Sequence, residues 1–243
     1  MTNSGKFIAP ALSFIFGVGA GWIAHGKLIE VLFTAYVPAL ATLFAAYYGA
    51  KYAFDLQHKK QEDDVKKTNL ANGNIAMFTL LSMVNSLLNY QGQIIDPIRT
   101  NPKAFLEMSP TLSFLREDLS FKIKDLYFLI EKNDPNLLGE LMLEEARYKA
   151  AMDAINERSR LHIHEIQPLL ERCGIIEGGT YTFEEIEKVL GNRFYTTLHQ
   201  QLAQIIDHVD SALISMDATG KKLNEALKAA YPKERVLAIV VPT

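Results

Sequence analysis

Arg158, Ser159, Arg160, His162, His164 and Glu165 crowd one short stretch of this chain. Histidines beside arginines and a carboxylate are residue types that move protons, hold metals or contact ligands. Spacing limits the choice. On a helix His162 and His164 stand about 200° apart, so they cannot chelate one metal ion together. Helical metal pairs need a spacing of three or four. Ser159 and His162 fall at seam positions that apolar residues usually hold, and Glu145 does the same higher up. Polar groups there cost stability unless they find partners. Three roles remain open: fixing helix register, forming a ligand or partner pocket with Arg158, Arg160, His162, His164 and Glu165, or general acid–base chemistry. No nucleophile accompanies the stretch, so no catalytic residue is assigned and the chain is read as non-enzymatic.

Other signatures are missing. There is no Gly-Lys-Ser/Thr phosphate loop, Gly-x-Gly-x-x-Gly, Gly-x-Ser-x-Gly or His-Glu-x-x-His. No metal or cofactor is implied. The single cysteine, Cys173, cannot form an intramolecular disulfide, which fits a cytoplasmic body better than an exported one. A net charge of -3 without a long basic run gives no support for direct nucleic-acid binding.

The elements that must position the polar stretch read as helices. A 4-3 spacing runs through Leu70, Asn74, Met77, Leu81, Val84, Leu88, Gln91 and Ile95, and stops at Asp96-Pro97. Ser109-Pro110 resembles a helix start, followed by Leu112, Leu115, Leu119, Ile123, Leu126 and Ile130. Asp134-Pro135 begins a helix that reaches Cys173, with the seam Leu138, Leu141, Glu145, Tyr148, Met152, Ile155, Ser159, His162, Ile166, Leu169. Pro168 should bend or end it, and Gly174 is its C-cap. Thr182 and Glu185 form a capping box for a short helix ending near Gly191. A long helix then carries Phe194, Leu198, Leu202, Ile205, Val209, Ala212 and Met216, with a break expected at Thr219-Gly220. Together, residues 69–243 are expected to form an antiparallel helical bundle with coiled-coil-like seams.

The N-terminal 54 residues are strongly apolar. Phe7 to Ala24 holds no charge over 18 positions, and Val31 to Ala50 none over 20. An 18-residue helix spans about 27 Å, near the ~30 Å of a bilayer core. The expected fold class is therefore all-α: a transmembrane hairpin over 1–54 (spans 7–24 and 31–50), a polar helical stalk over 55–68, and the bundle. A cleaved signal peptide and a pair of soluble core helices are the alternatives. Gly17 with Gly21, and Ala45 with Gly49, have the small-residue spacing that lets membrane helices pack closely. Lysine counting puts both termini on the cytoplasmic side of the membrane and the short connecting turn outside.

The chain resembles small bacterial membrane proteins with an N-terminal two-helix hairpin and a helical body. Asn69-Leu70-Ala71-Asn72-Gly73-Asn74, Ile95-Asp96-Pro97, Asp134-Pro135-Asn136-Leu137-Leu138, Arg158-Ser159-Arg160-Leu161-His162 and Glu165-Ile166-Gln167-Pro168 carry that likeness. Its layout is also similar to two-transmembrane effectors of anti-phage systems, including retron-type ones. That likeness implies an effector held inactive by a cytoplasmic protein or ribonucleoprotein, which disrupts the inner membrane when its hairpins assemble into a homo-oligomer in the lipid. The competing expectation is a membrane-tethered scaffold or sensor that binds a cytoplasmic protein through the bundle.

Overall fold

The computed structural model describes residues 32–111, 119–132, 135–175 and 179–237. Among the described residues six α-helices follow in order: α1 (Val37–Tyr90), α2 (Ala104–Glu107), α3 (Phe128–Lys132), α4 (Asn136–Leu161), α5 (Gln167–Arg172) and α6 (Phe183–Ala230). No strand occurs among the described residues, so the all-α expectation holds. The chain divides into two units, Met1–Val65 and Lys66–Thr243, with the division inside α1.

In the first unit, a π turn (Leu32–Tyr36) leads into α1. Pro38 is the second residue of α1, directly after the π turn. The expected span 31–50 keeps only Val37 to Ala50 as uncharged α-helix. The uncharged π turn Leu32–Tyr36 precedes it, and Lys51 and Asp55 follow. Among the described residues no helix is long and apolar enough to cross a membrane. The expected span 7–24, with Gly17 and Gly21, lies outside the described residues. A Cβ added at Gly49 would meet nothing within 4 Å, so no described element packs on the Ala45–Gly49 face there. What the first unit does offer is uncovered aromatic surface. Leu43, Phe44, Tyr47, Tyr48, Tyr52 and Phe54 are all exposed, Tyr52 at 72%.

The second unit is a helical body in which α6 runs antiparallel to both α4 and the Lys66–Tyr90 part of α1. Side-chain pairs fix the directions: Lys222 with Glu140, Thr219 with Glu144, Lys66 with Glu234 and Gln91 with Asp210. The main core joins Met77, Leu80, Val84 and Leu87 of α1 to Leu141, Ala151 and Ile155 of α4 and to Ile205, Val209, Ala212, Met216, Leu223 and Leu227 of α6. A second core gathers Phe105, Leu161, Ile166, Ile186, Leu190 and Leu198 around the Gly191 bend. The bend is real: Gly191 has φ 69° and ψ 158° within α6, a backbone region open to glycine at little cost.

Several expectations shift. Leu81 is 37% exposed, because the buried face of α1 is turned onto Met77, Leu80, Val84 and Leu87. A continuous helix from Ser109 to Ile130 does not form. Ser109, Pro110 and Thr111 are not helical, residues 112–118 lie outside the description, and a 3₁₀ turn (Ile123–Leu126) precedes the short α3. Here the Phe121 N–H donates to Glu145 Oε2 at 2.9 Å, an extended-chain contact that takes the place of a helical bond. Helix α4 begins at Asn136, just after Pro135, while Asp134 lies outside the description. α6 passes unbroken through Thr219-Gly220, both buried, since the seam on either side keeps its helical register. The Thr182–Glu185 capping box and the positive φ of Gly174 are as expected. The stretch after α6 is coil at Val236 and Leu237. Asn74 accepts from the Leu237 N–H at 3.0 Å, and Asn224 donates to the Leu237 carbonyl at 2.5 Å.

Gly73 shows how tightly α1 meets α6: a Cβ there would lie 2.4 Å from Leu227 Cδ2. Gly73→Leu should therefore cost about 1–3 kcal/mol in urea unfolding, from overpacking against a fully buried neighbour. The exposed α4 glycine has open space at its Cβ, so Gly139→Ala should instead gain up to about 1 kcal/mol from helix propensity. Equal effects at the two sites would contradict this packing.

Candidate functional site

Proline explains the local geometry of the polar stretch. Pro168 has no N–H, so it cannot make the α-helical bond to His164. The chain inserts a π turn, His162–Ile166, in which the Gln167 N–H reaches back to the His162 carbonyl. Such insertions recur at functional sites. Helix α5 then resumes and ends at Cys173, which is exposed.

This arrangement divides the six sequence candidates. Arg158, Ser159 and His162 are buried, at 1%, 5% and 6% exposure. Arg160, His164 and Glu165 are exposed. Arg160 pairs with Glu157 at 2.7 and 2.9 Å, which holds the Glu157 carboxyl below its usual range. The bonds to Glu157 likewise raise the Arg160 guanidinium.

Inside, Ser159 ties a loop to α4: its Oγ accepts from the Thr111 N–H at 3.1 Å and lies 3.2 Å from the Thr111 hydroxyl. Arg158 donates from Nη2 to the Phe105 carbonyl at 3.2 Å. Its Nε is buried without a hydrogen-bond partner, as is His162 Nδ1. Among the described residues no carboxylate bonds to Arg158. Burial alone pulls its guanidinium down to about 10, against a smaller opposing pull from Tyr90. It stays charged at neutral pH. Burial pushes the Tyr90 phenol up to about 12. Burial, and then Arg158, hold His162 down to about 4, so this ring is neutral at pH 7. The Phe105 ring stacks on His199 with centroids 4.0 Å apart and meets Tyr195 edge-on at 5.2 Å.

A second buried polar group lies about four turns earlier in the same seam of α4, and the sequence reading passed over it. Glu144 is 1% exposed. Its Oε1 accepts from Arg147 at 2.8 Å, from Thr219 at 3.2 Å and from Ser215, and Oε2 has no hydrogen-bond partner. The expected seam residue, Glu145, instead sits at the edge, bonded to Lys149 at 2.6 Å and to the Phe121 N–H. A usable signal was present. Leu137, Leu141, Glu144, Tyr148, Ala151, Ile155, Arg158 and His162 form an unbroken 4-3 series, one residue off from the series chosen at Glu145.

Between α4 and α6, Asp153, Glu157, Gln201, Gln204 and His208 line a groove of about 300 Å³. Among the described residues no three His, Cys, Asp or Glu side chains come together as a metal site. The arrangement can therefore bind through Arg158, or through the groove; among the described residues no proton-relay constellation assembles around His162. No known protein family, curated protein or solved structure matches the chain.

The buried histidine makes stability depend on pH. Its folded pKa of about 4 lies below the ordinary 6.5, so between these values the unfolded chain binds a proton that the folded chain refuses. The contribution is whole above about pH 6.5 and is lost as pH falls toward 4, by on the order of 3 kcal/mol. Denaturation at about pH 7 and about pH 4.5 should show a smaller acid loss for His162→Leu than for the wild type. The same loss in both would remove His162 as the cause.

Proposed function

We propose that this chain works at a lipid surface, with the helical body as the module that receives a regulatory partner. The observation that carries this is the uncovered apolar face of the first unit. Leu43, Phe44, Tyr47, Tyr48, Tyr52 and Phe54 are exposed at 54–72%. Soluble proteins rarely leave so continuous an apolar patch in water, and aromatic rings favour the membrane interface. Lys51 lies within this stretch and Lys59 and Lys60 lie just beyond it, as suits contact with anionic headgroups.

In its finer form the proposal is an anti-phage effector of the bacterial inner membrane. The body is held by a cytoplasmic protein or ribonucleoprotein, and release lets N-terminal hairpins, each including the span 7–24, assemble and breach the bilayer. A specific observation also favours the scaffold reading: the groove between α4 and α6, lined by Asp153, Glu157, Gln201 and His208, is open to a protein segment.

Flotation with phosphatidylethanolamine–phosphatidylglycerol vesicles tests the first step. The full chain should float, and a Phe44→Asp, Tyr48→Asp double variant should lose about tenfold or more of its vesicle partitioning, because charged groups are costly in the apolar interface. Equal partitioning of both proteins rejects the lipid contact. Inducible expression with a membrane-potential dye tests the second step. Unchanged potential and growth, alone and with the partner removed, reject the effector form, and capture of one stoichiometric partner without toxicity favours the scaffold.

A further inference from the structure

Arg158 is a cation sealed in the body and, among the described residues, answered only by neutral groups. It bonds one backbone carbonyl, that of Phe105, and keeps a buried Nε–H unspent. A guanidinium is built to hold a carboxylate with two parallel bonds, and a buried charge without a counter-charge is costly. One turn along the same face, His162 holds a second buried nitrogen without a partner. The group that occupies Arg158 comes from α2, a helix of four residues with a turn before it and a bend after it. The Phe105 side chain anchors that helix in the second core, against His199 and Tyr195.

The covalent geometry of Phe105 defines what else fits. Its carbonyl carbon is bonded to the same Cα that carries the benzyl group. A phenylalanine at a chain end that seats its ring in the same hollow brings a carboxylate, with two oxygens, to the position of that carbonyl. One oxygen replaces the Phe105 carbonyl at Nη2 and the other is available to Nε. We propose that the hollow filled by Phe105 is an exchangeable site for the C-terminus of a peptide ending in an aromatic residue, with Arg158 taking its α-carboxylate. A free amino acid is disfavoured because its ammonium group would be buried beside the Arg158 cation. This inference does not rest on the lipid reading, and it gives the body a partner chemistry of its own.

The test is ligand-detected NMR on the full-length protein with three probes: N-acetyl-L-phenylalanine, its C-terminal amide, and L-phenylalanine. The acid should bind the wild type about tenfold or more tighter than the amide, since a charge-assisted pair replaces a neutral one. Arg158→Met should erase that preference while remaining folded, because an apolar side chain of similar length relieves a buried charge. Phe105→Ala should bind the acid about tenfold tighter still, because the resident ring no longer competes. No binding of the acid by the wild type, equal binding of acid and amide, or a preference that survives in Arg158→Met overturns the proposal. L-phenylalanine binding as tightly as the acetylated acid overturns the assignment to a peptide end. The acid–amide comparison on the wild type stands alone should either variant fail to fold.

Discussion

The contact on which the body depends is the apolar seam of α6 against two helices at once. Ile205, Val209, Ala212, Met216, Leu223 and Leu227 are all fully buried. Each of these burials except that of Ala212 stabilises by roughly 1.5–3 kcal/mol relative to exposure. The gain requires α6 to stay helical from the Gly191 bend to Ala230 and to keep one rotation along that length. That requirement explains why Thr219-Gly220 causes no break. Gly73 serves the same seam, because only a residue without a side chain lets α1 come this close to Leu227. The rim then locks the register. Asp210 accepts from Gln91 at 2.8 Å and takes both terminal nitrogens of Arg99 at 2.7 and 3.0 Å. The bonds to Arg99 hold the Asp210 carboxyl below its usual range and raise the guanidinium in turn.

Against that seam the buried polar groups are exceptions of two kinds. Glu144 is nearly satisfied. Three donors converge on one oxygen from both helices, so a slide of α4 along α6 would strand a carboxylate in the core. A polar layer of this sort specifies register at some cost in stability. Arg158 is different. Its counter-groups are neutral and one donor is idle, so it restricts the packing without being well served by it. The π turn at His162 adds a further departure from regular helix in the same neighbourhood.

Periodicity made the elements legible and left their rotation undetermined. The stripe of α6 was readable because every residue from Leu198 to Met216 on it is apolar and α6 packs on both neighbours with that one face. The capping box at Thr182 and the glycines at 174 and 191 were readable because each is a local backbone requirement. In α4 two adjacent series, through Glu144 and through Glu145, have equal apolar support. Which faces inward depends on where α6 lies, and that is not a local property. The same holds for Leu81 against Leu80 in α1. The stretch 119–126 failed for another reason: its leucine spacing is helical, but the Phe121 N–H is taken by Glu145, a contact 24 residues away. For the polar stretch, spacing alone separated the two histidines. Burial then separated Arg158 from Arg160, which the sequence placed side by side as equals.

The lone cation at Arg158 has a consequence for how the body can respond to anything outside it. A fully satisfied core has no state to gain by exchange, since any incoming group must first displace an equal bond. Arg158 holds a neutral carbonyl where a carboxylate would bind more strongly, and that carbonyl belongs to a four-residue helix with one aromatic anchor. Displacing α2 disturbs the buried Ala104 and Met108 as well as Phe105, and Phe105 carries its own cost of leaving the hollow. An aromatic chain end returns that cost by refilling the hollow with the same ring. Added to this is the difference between a neutral and an ionic partner for one buried guanidinium, which favours the incomer. Release of α2 also frees its tie to Tyr181 through Lys103, so the exchange reaches the turn that leads into the Thr182 cap of α6. In the proposed exchange, the step from α2 to the residue before the Thr182 cap is that one hydrogen bond, from Lys103 to the Tyr181 carbonyl.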